Sequence, residues 1–374
     1  MQVAALSTVR HRLQPGAPLP FNVRNADKTL LLARGHLVET AEQLQALFER
    51  GALVDIAELV SPRDRVQQAS RAELPGLWQD SMHRVGHLLF ASAEDRFAGA
   101  LDEATAPMQA LVERDPELAI FQVLRQGGSA DLAYGAQRSL QTAVTGLLVA
   151  QRLGWESAQC QRLFKVALTM NISMLELQGQ LARQLGAPTP EQRHDLQTHP
   201  MRSVRILEQA GISDRDWLHA VLCHHEEGDG SGYPSGHTGD IGDLATLARR
   251  ADIYSAKLSA RASRDAMAAD LAGRHMFMQD PGHPMTAALV REFGIYPPGC
   301  YVRLVSGELA IVVARGASIT SPVVACLTNE RGMPVTRPER RETGDKAHAV
   351  ACVVGERSVP QRLPMDRLAA LVAA

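Results

Sequence analysis

Residues 224 to 236 read HHEEGDGSGYPSG, two adjacent histidines and two glutamates running into a turn rich in glycine. What precedes them decides how they are presented. In DWLHAVLCHHE (216–226), Trp217, Val221, His224 and His225 fall at i, i+4, i+7 and i+8. Both imidazoles therefore continue the apolar stripe of a helix and face inward. In LATLARRADIYSA (244–256), Leu244, Leu247, Ala248, Ala251, Asp252 and Ser255 share one stripe, which carries a carboxylate into the core. An unpaired buried charge is very costly, so Asp252 needs a cation. His199 precedes Pro200 in THPMRSVRIL (198–207), at the predicted start of a helix whose Val204 and Leu207 face the same interior. A lone inward histidine is ordinarily a hydrogen-bonded core residue, and a lone buried Asp is as well explained by a salt bridge. Three histidines with a carboxylate are a different matter. Neutral imidazole is the commonest metal ligand, and three can close one face of a coordination sphere. His199, His224, His225 and Asp252 are thus the predicted metal ligands. Asp229-Gly230 and Gly232 are equally explained by turn chemistry after a helix end.

Working outward, residues 79–298 carry a helical pattern with readable caps. Thr189-Pro190-Glu191-Gln192 is a start signal with Pro at the first helical position, Ser213-Asp214-Arg215-Asp216 is another, and Gly154 and Gly211 sit where helix ends favour glycine. Upstream, LPFNVRNADKTLLLARGHLV (19–38) reads as strands around an Asn25-Ala26-Asp27 turn, followed by TAEQLQALFERG (40–51) as a capped helix ended by Gly51. Downstream of YPPGC (296–300), YVRLVSGELAIVVAR alternates around Ser306-Gly307, and PVVACLT and AHAVACVVG add strands. The expected class is mainly α: a small α/β unit over 1–78, a helical domain over 79–298 and a small β domain over 299–374.

The chain of 374 residues has a formal net charge of −2 and no long basic run, so the electrostatic footprint of a nucleic-acid or anionic-lipid partner is absent. No stretch approaches a membrane span or the apolar core of a signal peptide, and a cytoplasmic location is expected. The five cysteines are odd in number, scattered, and form no C-x-x-C pair, as expected of buried thiols in a reducing compartment.

His224 to Pro234 matches H-H-E-x-x-D-G-x-G-Y-P at every fixed position, and in this it resembles the HD-GYP family of metal-dependent phosphohydrolases, which hydrolyse cyclic di-GMP. THP (198–200) resembles that family's His-Pro element, and RADIYSAKLSARASR (250–264) its A-D-x-Y-D-A-L-x-x-x-R segment, which places Asp252 and Arg261. The resemblance covers roughly residues 105–298 and implies an all-helical HD-type domain. Its first half departs from the pattern. Where the family has H-D-x-G-K, this chain has Met170, Asn171, Ser173 and Met174 in the places of His, Asp, Gly and Lys, and Arg138 aligns with an upstream ligand histidine.

The resemblance implies that His199, His224 and His225 keep one half of a two-metal centre, while the other half keeps only Asp252. Asn171 offers a neutral oxygen in place of a bridging carboxylate, a much weaker ligand. Arg138 is expected to pair with Asp252 and to replace the charge of the lost ion. One divalent ion, Fe, Mn or Zn, is the implied cofactor. Glu226, Asp229 and Asn171 are the candidate catalytic residues, and Arg261, Tyr233, Gly232 and Pro234 the candidate nucleotide or partner contacts. Three functions are weighed. The preferred one is a degenerate regulator that binds cyclic di-GMP or a related dinucleotide, a diguanylate cyclase domain through the Gly-Tyr-Pro turn, or both, with a homodimer left open. The second is a phosphodiesterase running on one three-histidine metal, with activity expected weak or absent because Met170-Asn171 replaces the H-D pair. The third is a metal-free interaction scaffold, which leaves the histidines unexplained.

Overall fold

The computed structural model describes residues 2–92, 97–125, 134–359 and 363–374, which divide into two compact units, Met1–Gln68 and Ala69–Ala374. The first contains β1 (Val3–Ala5), β2 (Val23–Arg24), β3 (Leu30–Leu32), α1 (Ala41–Glu49), β4 (Leu53–Asp55), α2 (Ile56–Leu59) and α3 (Pro62–Gln68). Its antiparallel sheet runs β1-β4-β2-β3, and the predicted Asn25 turn joins β2 to β3. Thr40 and Gln43 close the capping box that starts α1, and Gly51, at φ +66°, ends it. Leu6, Phe21, Val23, Leu44 and Val54 fill the core between helix and sheet. β1 is three residues long, too short for its alternation to show in the sequence.

The second unit begins with α4 (Leu74–Phe90), α5 (Phe97–Arg114), α6 (Pro116–Arg125), α7 (Tyr134–Arg152), α8 (Ser157–Thr169) and α9 (Leu175–Arg183). It continues through α10 (Pro190–Gln209), α11 (Arg215–Cys223), α12 (Asp243–Leu258), α13 (Ala269–Gln279) and α14 (Pro284–Phe293). α7 is its axis: every residue from Gly135 to Ala150 is buried, polar ones included. Small residues permit this close packing. A Cβ on Gly135 would lie 2.3 Å from the Leu175 carbonyl oxygen, so glycine is required where α7 meets the start of α9. The polar residues on α7 must find partners inside the bundle, and Gln141 donates to the Val123 carbonyl at 3.1 Å.

Two boundaries differ from the sequence expectation. His199-Pro200 does not start a helix; both lie inside α10, whose start is the predicted Thr189 capping box. α11, capped by the Asp214 carboxylate, stops at Cys223, so His224 sits on the helix end and His225 beyond it. The sheet that follows, β5 (Tyr301–Leu304), β6 (Leu309–Ala314), β7 (Val323–Thr328), β8 (Pro334–Glu342) and β9 (Val350–Val354), is antiparallel in the order β8-β7-β6-β5-β9. The final segment is helical rather than β. α15 (Met365–Ala373) buries Leu368, Ala369 and Val372 and packs back on α4 and α6. Among the described residues no helix is long and apolar enough to cross a membrane.

Candidate metal centre

A proline and a helix end organise the three histidines. Pro200 has no N–H to give the carbonyl four residues before it, that of Leu196. His199 takes that carbonyl, with Nδ1 at 2.6 Å from Leu196 O. At the end of α11 the Val221 carbonyl is one of the last four that the helix leaves without an intrahelical donor. His224 Nδ1 approaches it at 2.6 Å. A carbonyl only accepts, so both histidines carry their proton on Nδ1 and turn an Nε2 lone pair inward. Those two Nε2 atoms face each other at 3.0 Å.

Two lone pairs at that separation repel unless they share an electrophile. A proton does not serve at neutral pH, because burial, reinforced by the neighbouring imidazole, holds His199 and His224 down to about 3. A metal ion does: nitrogens bound at about 2.1 Å to one centre stand about 3.0–3.4 Å apart. His225 completes the group, with one donor atom from each of the three lying within 4.8 Å of the others. Burial, followed by the charge of His199, lowers His225 to about 3 as well. Three neutral imidazoles are therefore ready to bind a cation, and the donor set fits the ion that the sequence led us to expect.

The loop after His225 is built to hold that ring. Tyr233 stacks on it at 4.5 Å between centroids and 19° between planes, and donates its backbone N–H to the His225 carbonyl at 3.2 Å. Gly232 makes this approach possible, since a Cβ there would fall 2.5 Å from His225 O, Glu226 Cα and Glu227 N. Glu226 is fully buried, and its two oxygens accept from the Ser235 and His237 amides at 2.7 and 3.0 Å. Its carboxylate is a bolt across the loop, with both oxygens engaged there. Asp229 is exposed and accepts from the Ser231 amide and hydroxyl at 2.9 and 2.7 Å, a local turn whose hydrogen bonds lower its pKa.

Asp252 lies outside the histidine donor group. Its Oδ1 receives Arg138 Nη2 at 2.7 Å, the expected ion pair, and the same nitrogen reaches the Asp252 carbonyl at 3.1 Å. Met170 and Asn171 are buried, and Asn171 Oδ1 has no hydrogen-bond partner among the described residues. Ser173 Oγ donates to the His199 carbonyl at 3.0 Å and meets Ser203 Oγ at 2.9 Å, tying the segment before α9 to α10. A cavity of about 270 Å³ opens against His225, lined also by Tyr233, Asp252, Arg138 and Met174, with the exposed Arg261 on its wall. Pro234 follows Tyr233 in the turn and is not among the residues lining it. The carbonyls of Leu196 and Val221 and the Ser173–Ser203 pair were absent from the sequence reading; only the first had a signal, a proline four residues downstream.

The family model for the HD domain matches residues 129–278. The chain carries an HD domain, and its His224–Pro234 string resembles the HD-GYP signature. Over 246 residues it is 27% identical to the cyclic di-GMP phosphodiesterase PA4108 of Pseudomonas aeruginosa, matching 63% of this chain and 58% of that protein. Over 239 residues it is 26% identical to the cyclic di-GMP phosphodiesterase response regulator RpfG of Xanthomonas campestris pv. campestris, matching 63% and 59%. The chain thus spans less than two thirds of the length of these curated relatives. Bd1817, an HDG"Y"P protein from Bdellovibrio bacteriovorus, aligns in structure at a TM-score of 0.49 and 17% identity, over 77% of this chain and 97% of that one. Within the HD-GYP signature as it stands here, the second histidine is the one the Gly-Tyr-Pro turn grips, the glutamate locks the turn, and the glycine before the tyrosine allows the contact.

Proposed function

We propose that this protein is a degenerate HD-GYP regulator, binding cyclic di-GMP or a related dinucleotide beside a single divalent ion held by His199, His224 and His225. The observation that carries the reading is the division of the site. Three histidines converge, whereas Met170 and Asn171 are buried where the signature would supply a histidine and an aspartate, and Asp252 is occupied by Arg138. Hydrolysis of a phosphodiester draws on a metal-activated water and on cations that stabilise the developing charge. With one ion site and no H-D pair, hydrolysis is weak or absent. An all-imidazole donor set suits Fe, Mn or Zn better than Mg or Ca. In this reading the helical region 79–298 does the binding, Arg261 meets the phosphate at the cavity, and the turn at Gly232, Tyr233 and Pro234 is the surface offered to a partner such as a diguanylate cyclase domain. A cytoplasmic location accords with a cytoplasmic ligand.

The cavity against His225, with Arg261 on its wall, also supports a second reading, a phosphodiesterase running on the one ion. There Asp229 and Asn171 are the available polar groups for orienting water, since both oxygens of Glu226 are engaged by the loop. The deciding experiment measures metal content, cyclic di-GMP binding and cyclic di-GMP hydrolysis on one preparation. Binding with metal and without turnover is expected. Robust turnover with added manganese or iron establishes the second reading, and neither metal nor nucleotide, with no change in His225→Ala, establishes a metal-free scaffold.

A further inference from the structure

Asp252 is the carboxylate that lines the cavity together with His225. It is nonetheless outside the cluster of donor atoms. Arg138 accounts for this. It stands in the fully buried stretch of α7, 4% exposed, and spans Asp252 on α12 through Oδ1 at 2.7 Å and the main-chain oxygen at 3.1 Å, with Nη1 3.4 Å from Ser259 Oγ. Thr142, one turn along α7, adds a contact at 3.4 Å to the same Oδ1. The guanidinium is held by three oxygen atoms. The carboxylate is thus fixed and neutralised by a side chain that lines the same cavity.

We infer that Arg138 is a charge-setting residue that keeps Asp252 from the three-histidine site, and thereby holds that site to a neutral donor set with modest affinity for a divalent ion. This rests on the reading of His199, His224 and His225 as a metal site. An anion of full charge a few ångströms from a divalent cation in a partly buried setting changes its affinity by about ten- to a hundredfold. Releasing Asp252 therefore strengthens metal binding, an effect opposite to that of structural damage. Gln at position 138 keeps hydrogen-bond donors while removing the charge.

The experiment is titration of manganese or zinc chloride into the metal-stripped full chain, with helical content followed by circular dichroism. Wild type is expected to bind one ion, and His225→Ala to lose it. Arg138→Gln is expected to bind at least tenfold more tightly. Asp252→Asn alone, which leaves the Arg138 charge unpaired, is expected to weaken binding, and Arg138→Gln combined with Asp252→Asn to return to the wild-type value. A folded Arg138→Gln variant with unchanged or weaker affinity overturns the inference. So does a double variant that binds as tightly as Arg138→Gln alone, which means that the gain does not come through Asp252. Absence of metal from wild type and from Arg138→Gln alike overturns both the inference and the metal site, whereas binding by wild type that is lost in His225→Ala leaves the site standing whatever the Arg138 result.

Discussion

Pro200 stands four residues after Leu196, and the carbonyl that this proline cannot engage is the one that orients His199, at 2.6 Å from its Nδ1. A residue that costs a helix about 3 kcal/mol relative to alanine is in this way tied to the tautomer of a ligand. Restoring the N–H with Pro200→Ala sets a backbone donor in competition with the imidazole. Thermal stability is expected to hold or rise, while metal affinity falls about tenfold or more, in line with the loss of an outer-shell partner. Equal metal affinity in the two proteins, measured by calorimetry, is the result that counts against this.

Gly232→Ala tests the grip of the turn on His225. The added Cβ would meet His225 O, Glu226 Cα and Glu227 N at 2.5 Å, so the loop must move and the Tyr233 stack opens. Helical content is expected to be unchanged and metal binding lost or reduced more than tenfold, with faster amide exchange at Ser235 and His237 as the Glu226 bonds loosen. Normal exchange at those two amides would place the turn's role elsewhere.

The metal-free protein should lose stability in mild acid. The three histidines have folded pKa values near 3 against an ordinary 6.5, chiefly through burial. The unfolded chain therefore binds more protons between those limits, and stability falls as pH drops below about 6.5. The three tryptophans, Trp78, Trp155 and Trp217, all lie in the second unit, so their fluorescence reports its urea unfolding alone. His225→Ala should make the dependence on pH shallower by about 1.4 kcal/mol per pH unit, one proton's worth. An unaltered slope would mean that His225 does not share in this titration.

Arg315, just past the end of β6, donates to Glu117 on α6 and to Glu292 on α14, each at 2.7 Å, and Glu292 is also paired with Arg152 on α7. This partly buried network joins the sheet to three helices. Arg315→Ala leaves two carboxylates short of a partner and is expected to destabilise the second unit by about 2–4 kcal/mol, read as a lowered urea midpoint. A change within 0.5 kcal/mol would show that water replaces the arginine at little cost.

The sequence by itself determined the helical class of the central region, the caps of α1 and α10, the signature string and the three histidines that converge, because each rests on spacing within one helix or one turn. Inward phasing showed that Asp252 requires a cation, and the resemblance, which sets Arg138 in the place of a ligand histidine, pointed to the partner that the structure shows. The sequence pattern set a helix start at His199-Pro200, because a proline inside a helix and one at its start look alike until the neighbouring carbonyl is seen to have another donor, and it carried α11 on to His225, because an apolar stripe does not show where the backbone hydrogen bonds end. α15 escaped notice for a related reason: what makes it a helix of this unit is the surface of α4 and α6 that it covers. Tertiary structure alone decided that Glu226 locks a loop, that Tyr233 stacks on His225, and that two Nε2 lone pairs meet at 3.0 Å. These depend on chain segments brought together across the fold, and no local pattern of residues encodes which face of one segment another will meet.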